Sequence, residues 1–337
     1  MADRVSIRDL AKLAGVSRTT VSLALRSSHV VAPETRKRIL ALAEEHGYRS
    51  HPAVNALMQQ VGRGQRVHDE EVIAFIRSGS EPGENAAGPL EILAGAQQEA
   101  HLMGYRVEVF WAGYMASQSE QLARVLYHRG IRGVIWGPMP YPHPPIQFPW
   151  QRFVPIACSY SAGVPYLPVV SIQHAKGMAL VLEELHRRGA GRIGFAEYFL
   201  EDSRHDFGWQ LGVDLYQHRG GSAKIFTRIL KEETEDPNLL PWARKQKLDA
   251  LVTTPALLNL NGAALAEFPL ASLDVARLEL GQIGGLYQDT VQLGRHAIRS
   301  LSLRLSNGIL GLPETSFSVV AQASFMEGKS LGRFQPI

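Results

Sequence analysis

From Glu71 onward the chain alternates short apolar runs with longer amphipathic stretches, and this alternation limits the possible folds more than any other feature. EVIAFI reads as a strand, PLEILAGAQQEAHLMGY as a helix and RVEVFWA as a strand. SEQLARVLYHRG then reads as a helix, with GVIWGP and FVPIACS as strands. After a crossing expected near Tyr166 the unit repeats: VVSIQ, KGMALVLEELHRRG, RIGFAEY, DFGWQLGVDLYQH, DALVTT and a final strand in ARLELG. Strands too apolar to face water on either side, each followed by a helix, pack as parallel sheets covered on both faces. Two such sets predict two doubly wound α/β lobes. In sheets of this kind ligands bind outside the carboxyl ends of the strands, here in the cleft between the lobes.

The N-terminal segment follows a different rule. In IRDLAKLAGVSRTTVSLAL, residues Ile7, Leu10, Ala11 and Ala14 fall on one helical face, and Gly15 suits the left-handed position that ends a helix. Ser17 can cap a second helix, in which Val21, Ala24 and Leu25 repeat the apolar spacing. Small Ala11 permits a close crossing, so the segment predicts a helix-turn-helix, a motif whose second helix enters the DNA major groove by its N-terminal residues. A third helix is expected from Pro33 through ETRKRILALAEEHGY, with Arg36, Lys37 and Arg38 as a basic rim.

Charge divides the chain at the same place. Residues 1–66 carry eleven Lys and Arg against five Asp and Glu, whereas the remainder carries 24 against 27. A basic module on a slightly acidic body fits contact with phosphates. The single Cys158 excludes an intramolecular disulfide framework and a Cys-rich zinc site. No apolar run approaches the ~20 residues of a membrane span, and MADRVSIRDL lacks a secretory h-region, so a cytoplasmic protein is expected.

Residues 5–57 resemble the headpiece of the lactose/galactose-repressor (LacI/GalR) family of bacterial transcription regulators, through IRDLAKLAGVS, TTVSLAL, V-A-P-E-T-R-K-R-I and GYRSHP. AGAQQEAHLMGYRVEVF, RGIRGVIWGP, LEELHRRGAGRIGF and GGLYQDTVQLGRHAI resemble that family's periplasmic-binding-protein-like body. The resemblance covers about residues 5–332 and implies a three-helix helix-turn-helix headpiece (1–50), a hinge helix and linker (51–66) and two lobes. The N-terminal lobe is expected from 67–164 with 289–320, and the C-terminal lobe from 165–288 with 321–337. It further implies a homodimeric regulator, in most cases a repressor, on a pseudo-palindromic double-stranded operator. A small-molecule effector, often a sugar or nucleoside metabolite, would bind between the lobes and shift their arrangement.

Residue by residue, the resemblance puts Arg18 and Thr19 at base-reading positions and Ser17, Thr20, Ser22 and Arg36 near phosphates. Leu23 falls at a third base-reading position, where it would touch a thymine methyl or pack within the headpiece. Leu57 matches the hinge leucine that wedges into the minor groove, with Val54 beside it in place of the usual alanine. Ala32 replaces a common capping serine. For the effector the candidates are Arg77, Ser78, Trp136, Arg204 and Glu279. Arg204 sits near the family's ligand-clamping arginine, Glu279 is a stand-in for an acidic pair missing after the last lobe-two strand, and Trp136 either stacks on ligand or packs in the core. The Asn-Asp pair many members carry after the strand ALVTT is absent, and Gln173 stands where a structural Asp is usual.

No phosphate-binding GxxxxGK[ST] loop or GxSxG elbow is present, and the histidines show no metal-like spacing. An enzyme is therefore not expected, nor a metal or cofactor. The competing class is an enzyme or metabolite-binding protein with an appended DNA-binding module.

Overall fold

The structure is a computed structural model that describes residues 7–25, 31–46, 71–77, 87–112, 116–139, 146–231, 235–261, 265 and 268–332. The side chains of Ser22, Leu25, 87–89 and 116–118 lie outside that description, as does the whole hinge segment with Val54 and Leu57. The chain divides into two compact units, the first containing the N-terminal residues to Asp69 and the second the α/β body.

The first unit holds α1 (Ile7–Ala14), α2 (Arg18–Leu25) and α3 (Pro33–Glu45). Leu10, Val21, Ala24 and Ile39 are fully buried at its centre, with Ala11 and Ala14 beside them. Gly15 has φ +62° and ends α1 with two bonds, from its own N–H to Lys12 O and from Val16 N–H to Ala11 O. That pair of bonds is a Schellman motif, and its left-handed residue explains the glycine. Arg38 of α3 donates to Ala14 O at 3.0 Å, so this arginine of the expected basic rim instead satisfies the end of α1.

The body contains two six-stranded sheets. The first, in the order β11-β5-β4-β3-β1-β2, is parallel throughout. It is built from β1 (Glu71–Arg77), β2 (Tyr105–Trp111), β3 (Gly133–Trp136), β4 (Val154–Cys158), β5 (Val169–Ile172) and β11 (Ser318–Ala321). The second has the order β12-β10-β9-β8-β6-β7, from β6 (Arg192–Tyr198), β7 (Lys224–Leu230), β8 (Ala250–Thr253), β9 (Leu270–Ser272), β10 (Gly284–Tyr287) and the antiparallel edge β12 (Ser324–Met326). Helices α4 (Ala87–Leu102), α5 (Ala116–His128) and α11 (Thr290–Ser306) belong to the first lobe. Helices α6 (His174–Arg187), α7 (Phe199–Ser203), α8 (Gly208–His218), α9 (Leu240–Gln246) and α10 (Pro255–Asn261) belong to the second.

The first crossing differs from the sequence expectation. Val169–Ile172 pairs with β4 and β11 in the first sheet, so the chain changes lobes after Ile172 and not near Tyr166. It returns between Tyr287 and Thr290 and crosses a third time between Ala321 and Ser324. Gln173 N–H donates to Ala321 O at 2.9 Å, tying the first crossing to the third. A second correction concerns ARLELG. Residues Arg277–Glu279 form a 3-10 turn, Leu278 is almost wholly exposed, and the strand preceding it is the short β9.

Helix α11 closes the first lobe by burying Leu293, Ala297, Ile298, Leu301 and Leu305 against Ile73, Phe75 and Ile92. It crosses α4 at two glycines: a Cβ on Gly294 would stand 1.9 Å from Ile92 O, and one on Gly95 would stand 2.0 Å from Val291 O. Glu99–Arg299 and Gln98–Arg295 bonds extend the same contact.

Candidate functional sites: the helix-turn-helix surface and the strand ends of the body

Two surfaces carry functional side chains, and each arises from local rules. On the first unit, Ser17 caps α2: Thr20 N–H donates to Ser17 Oγ at 3.0 Å, and the two hydroxyls lie 2.8 Å apart. Capping leaves Arg18 and Thr19 at the start of the helix with their side chains exposed, and Thr20 half-exposed. A helix N-terminus with free backbone N–H groups and an exposed guanidinium is suited to phosphates and base edges. Leu23 is half-buried against the three-helix core, so of its two expected roles packing is the one the geometry meets. Arg36 is half-buried and engaged by a neighbour. Ala32 makes no side-chain cap, and Pro33 opens α3.

The second surface lies at the C-terminal strand ends of the body. Arg77 ends β1, is buried, and lays its guanidinium 4.8 Å over the ring of Trp111, its register partner on β2. Ser78 is outside the described residues. Trp136 ends β3 but is fully buried, with Phe148 and Trp150 at 5.6 and 5.9 Å from its ring. Core packing, not an open stacking face, is what the structure gives this residue. Arg204 follows α7, partly exposed, with a long 3.5 Å ion pair to Glu201 and a buried Nε that meets no acceptor.

Glu279 also changes role. Its carboxylate accepts from Ala276 N–H at 3.3 Å and closes the 3-10 turn. The acid that follows the corrected strand β9 is Asp274, which the sequence reading missed because ARLELG supplied a false strand. Burial first, then the charges of Glu91 and Glu279, push the Asp274 carboxyl up to about 7. Glu91 sits on α4 in the first lobe, bonded by Thr290, so carboxyl groups of both lobes meet near the second crossing.

Beneath the α7–α8 turn lies a cluster that sequence reasoning also missed. Asp202 is fully buried and accepts from Trp209 N–H at 2.9 Å and Gln210 N–H at 3.2 Å, capping α8 from the preceding helix. Glu197, on β6 and fully buried, receives no N–H or O–H donor on either oxygen. Burial first, then the neighbouring Asp202 charge, raise its carboxyl to about 10. His174 and His205 stack with centroids 4.2 Å apart, and Trp209 meets both edge-on. Burial holds both rings neutral at physiological pH, His205 down to about 4 with help from Arg204. The turn itself is strained, because Asp206 and Phe207 are consecutive non-glycine residues at φ 56°.

Among the described residues seven buried side-chain N and O atoms lack a hydrogen-bond partner. Six belong to Trp136, Glu197 and Thr254, at or next to the carboxyl ends of β3, β6 and β8, and to Arg204 and His205, on the turn after α7. Buried polar groups are ordinarily satisfied, so these unpartnered atoms set this end of the second lobe apart from the rest of its core. Among the described residues, no group of three or more His, Cys, Asp or Glu is arranged to hold a metal ion.

Comparison with known proteins matches the two parts of the chain separately. The profile of "Bacterial regulatory proteins, lacI family" matches residues 6–51. The HTH-type transcriptional regulator MalR of Streptococcus pneumoniae is 21% identical over 314 residues, covering 88% of this chain and 92% of MalR. The probable repressor ExuR of Bacillus subtilis is 54% identical over 52 residues, 15% of each chain. The chain is similar in fold to the lac repressor dimer bound to operator and an anti-inducer, with TM-score 0.55, 17% identity and coverage of 99% of this chain and 100% of that one. A CelR–cellobiose complex gives TM-score 0.57 at 17% identity, over 96% and 99% of the chains. Over residues 6–51 the chain is thus similar to the lacI family of bacterial regulatory proteins, and its two-lobed body has the fold of the LacI-type structures.

Proposed function

We propose that the protein is a sequence-specific DNA-binding transcriptional regulator, acting as a repressor, whose operator affinity is set by a small metabolite held between its two lobes. The observation that carries the DNA reading is the capped start of α2, which presents Arg18 and Thr19 outward in the segment matched to the family. Arg18 reads guanine through its fork and Thr19 offers a hydroxyl and a methyl, while Ser17, Thr20, Ser22 and Arg36 position the helix on phosphates. Val54 and Leu57 fill the minor groove at the centre of a pseudo-palindrome. The protein works as a cytoplasmic homodimer, in keeping with the operator-bound dimer it resembles, and carries out no catalytic step.

For the metabolite, support comes from the unpartnered polar atoms at the facing strand ends. Arg77 and Arg204 stand on this wall, with Asp274 taking the place expected of Glu279, and Ser78, which follows Arg77 in the sequence, is the remaining candidate. Sugars or sugar derivatives fit the relatives, among them the maltose regulon regulatory protein MalI of Vibrio furnissii and a cellobiose-bound structure.

Operator selection from a random duplex library with the full chain tests the reading. A pseudo-palindromic sequence should be enriched and retarded in gels at stated salt. Arg18→Ala should relax preference at one base pair in each half-site. Absence of any enriched sequence refutes the regulator reading, and enrichment unaltered by Arg18→Ala refutes the groove assignment.

A further inference from the structure

At the opposite end of the first lobe, the amino ends of its strands carry arginines that neither surface described above uses. Arg129 follows α5, Arg132 immediately precedes β3, and Arg152 closes the 3-10 turn before β4. Gly133 is in register with Val154 on one side and with Ile73 on the other, so these ends lie side by side next to the start of β1. Glu108 neutralises one part of the cluster, pairing with Arg106 at 2.6 Å and Arg129 at 2.7 Å. Glu71, at the start of β1, is already engaged.

Arg132 and Arg152 are held differently. Their guanidinium groups lie 4.5 and 5.0 Å over a single ring, that of Tyr127 in the last turn of α5, and among the described residues no carboxylate pairs with either. Two like charges thus stand closer together than one Debye length at 0.1 M salt, ~10 Å. Attraction to the ring, about 0.5–1 kcal/mol for each cation at an exposed site, offsets part of their repulsion. Tyr127 is 40% exposed and Arg152 is exposed, so this stack meets solvent. Arg124 and His128 flank Tyr127 on α5, both exposed and neither in an ion pair, with Glu120 a turn further back.

Guanidinium groups present their donors as planar forks, and two held side by side match the spaced anionic oxygens of a phosphodiester backbone. The chain after residue 66 carries 27 Asp and Glu against 24 Lys and Arg, so an unneutralised basic patch is where a polyanion can approach it. Connectivity selects the polyanion. The chain runs from the helix-turn-helix unit into this lobe at β1, beside β3, so a duplex gripped by that unit is tethered to the edge bearing Arg132 and Arg152.

We propose that Arg132 and Arg152, stacked on Tyr127, form a second DNA contact, on the body, that binds backbone phosphates flanking the operator. The inference rests on the reading that the protein binds an operator through α2.

Gel-shift titration of the full-length protein tests it. The sequence enriched from the random library is carried either in a duplex of about 20 base pairs, enough for two half-sites a turn apart, or at the centre of one of about 50. Wild type should bind the long duplex more tightly, with a log–log salt slope steeper by about 2 to 4 for two arginines from each subunit of a dimer. The double variant Arg132→Gln/Arg152→Gln should match wild type on the short duplex and lose the difference between the two. Arg132→Lys/Arg152→Lys, which keeps both charges, should retain most of it. Equal slopes on both duplexes in wild type overturn the inference and leave the patch to an acidic protein, and a length dependence that survives in the glutamine variant overturns it too. Equal weakening on both duplexes by the glutamine and lysine variants alike would mean that the stack only holds the lobe together, which also overturns it. Failure to enrich any sequence instead overturns the underlying reading.

Discussion

Replacing Glu197 by Gln should stabilise the protein, and by an amount that grows with pH. The carboxyl is raised from an ordinary value of 4.5 to about 10 in the folded chain, first by burial and then by Asp202. Folding therefore requires Glu197 to hold a proton that the unfolded chain releases above pH 4.5. A group with a raised folded-state value gives its full contribution below the unfolded value and loses it as pH climbs towards the folded one. The loss is about 1.4 kcal/mol for each pH unit in that window. Between about pH 5.5 and pH 8.5 the wild type should thus lose on the order of 4 kcal/mol that Glu197→Gln does not lose. Gln preserves the shape and carries no titratable proton, so little is sacrificed at the acid end.

Calorimetric melting of both proteins across that range checks the claim. At about 2–4 °C per kcal/mol for a body of this size, the variant's advantage in Tm should widen by roughly 10 °C from acid to alkaline buffer. A difference that stays constant with pH would mean that Glu197 is ionised throughout, and the argument from burial and Asp202 would fail.

Three further outcomes are expected. Gly294→Ala should lower Tm by several degrees, since its Cβ would meet Ile92 O at 1.9 Å and both neighbours are helix backbone; overpacking of this kind costs about 1–3 kcal/mol. Gly15→Ala should weaken the first unit by about 1 kcal/mol through its left-handed φ of +62°, although no neighbouring atom obstructs a Cβ there. Amide exchange in α1 and α2 should then speed up roughly fivefold, and unchanged protection would refute the strain argument. Arg38→Ala should destabilise the same unit by removing the bond to Ala14 O, yet leave the salt dependence of operator binding intact. A shallower salt slope would show that Arg38 also neutralises a phosphate.

Local chemistry was legible in the sequence, and pairing between distant segments was not. Gly15, Ser17 and the Leu10–Val21–Ile39 core obey rules that act within a few residues, so the headpiece could be read in detail. The alternation of strands and helices also declared two parallel lobes. VVSI carries no mark of which sheet it joins, because β5 is apolar and parallel in either one, and this displaced the first crossing. Strand β7 went unread since an edge strand with exposed Lys224 and Thr227 lacks a continuous apolar run. ARLELG shows perfect period-two alternation but closes as a turn around Glu279, and its apparent strand concealed Asp274 behind the three-residue β9.

Glu197 is the instructive case. Its place inside the body was implied by RIGFAEY, where the inward face runs Ile, Phe, Glu. The acid breaks the apolar rule of a buried strand at the residue nearest the carboxyl end, which is where sheets of this type meet ligands. A local rule that fails at such a position is itself a signal, since a buried carboxyl without a donor costs stability that apolar packing would not. Read this way, the same strand that completes the second lobe also carries, in Glu197, the one inward position whose chemistry its packing leaves unused.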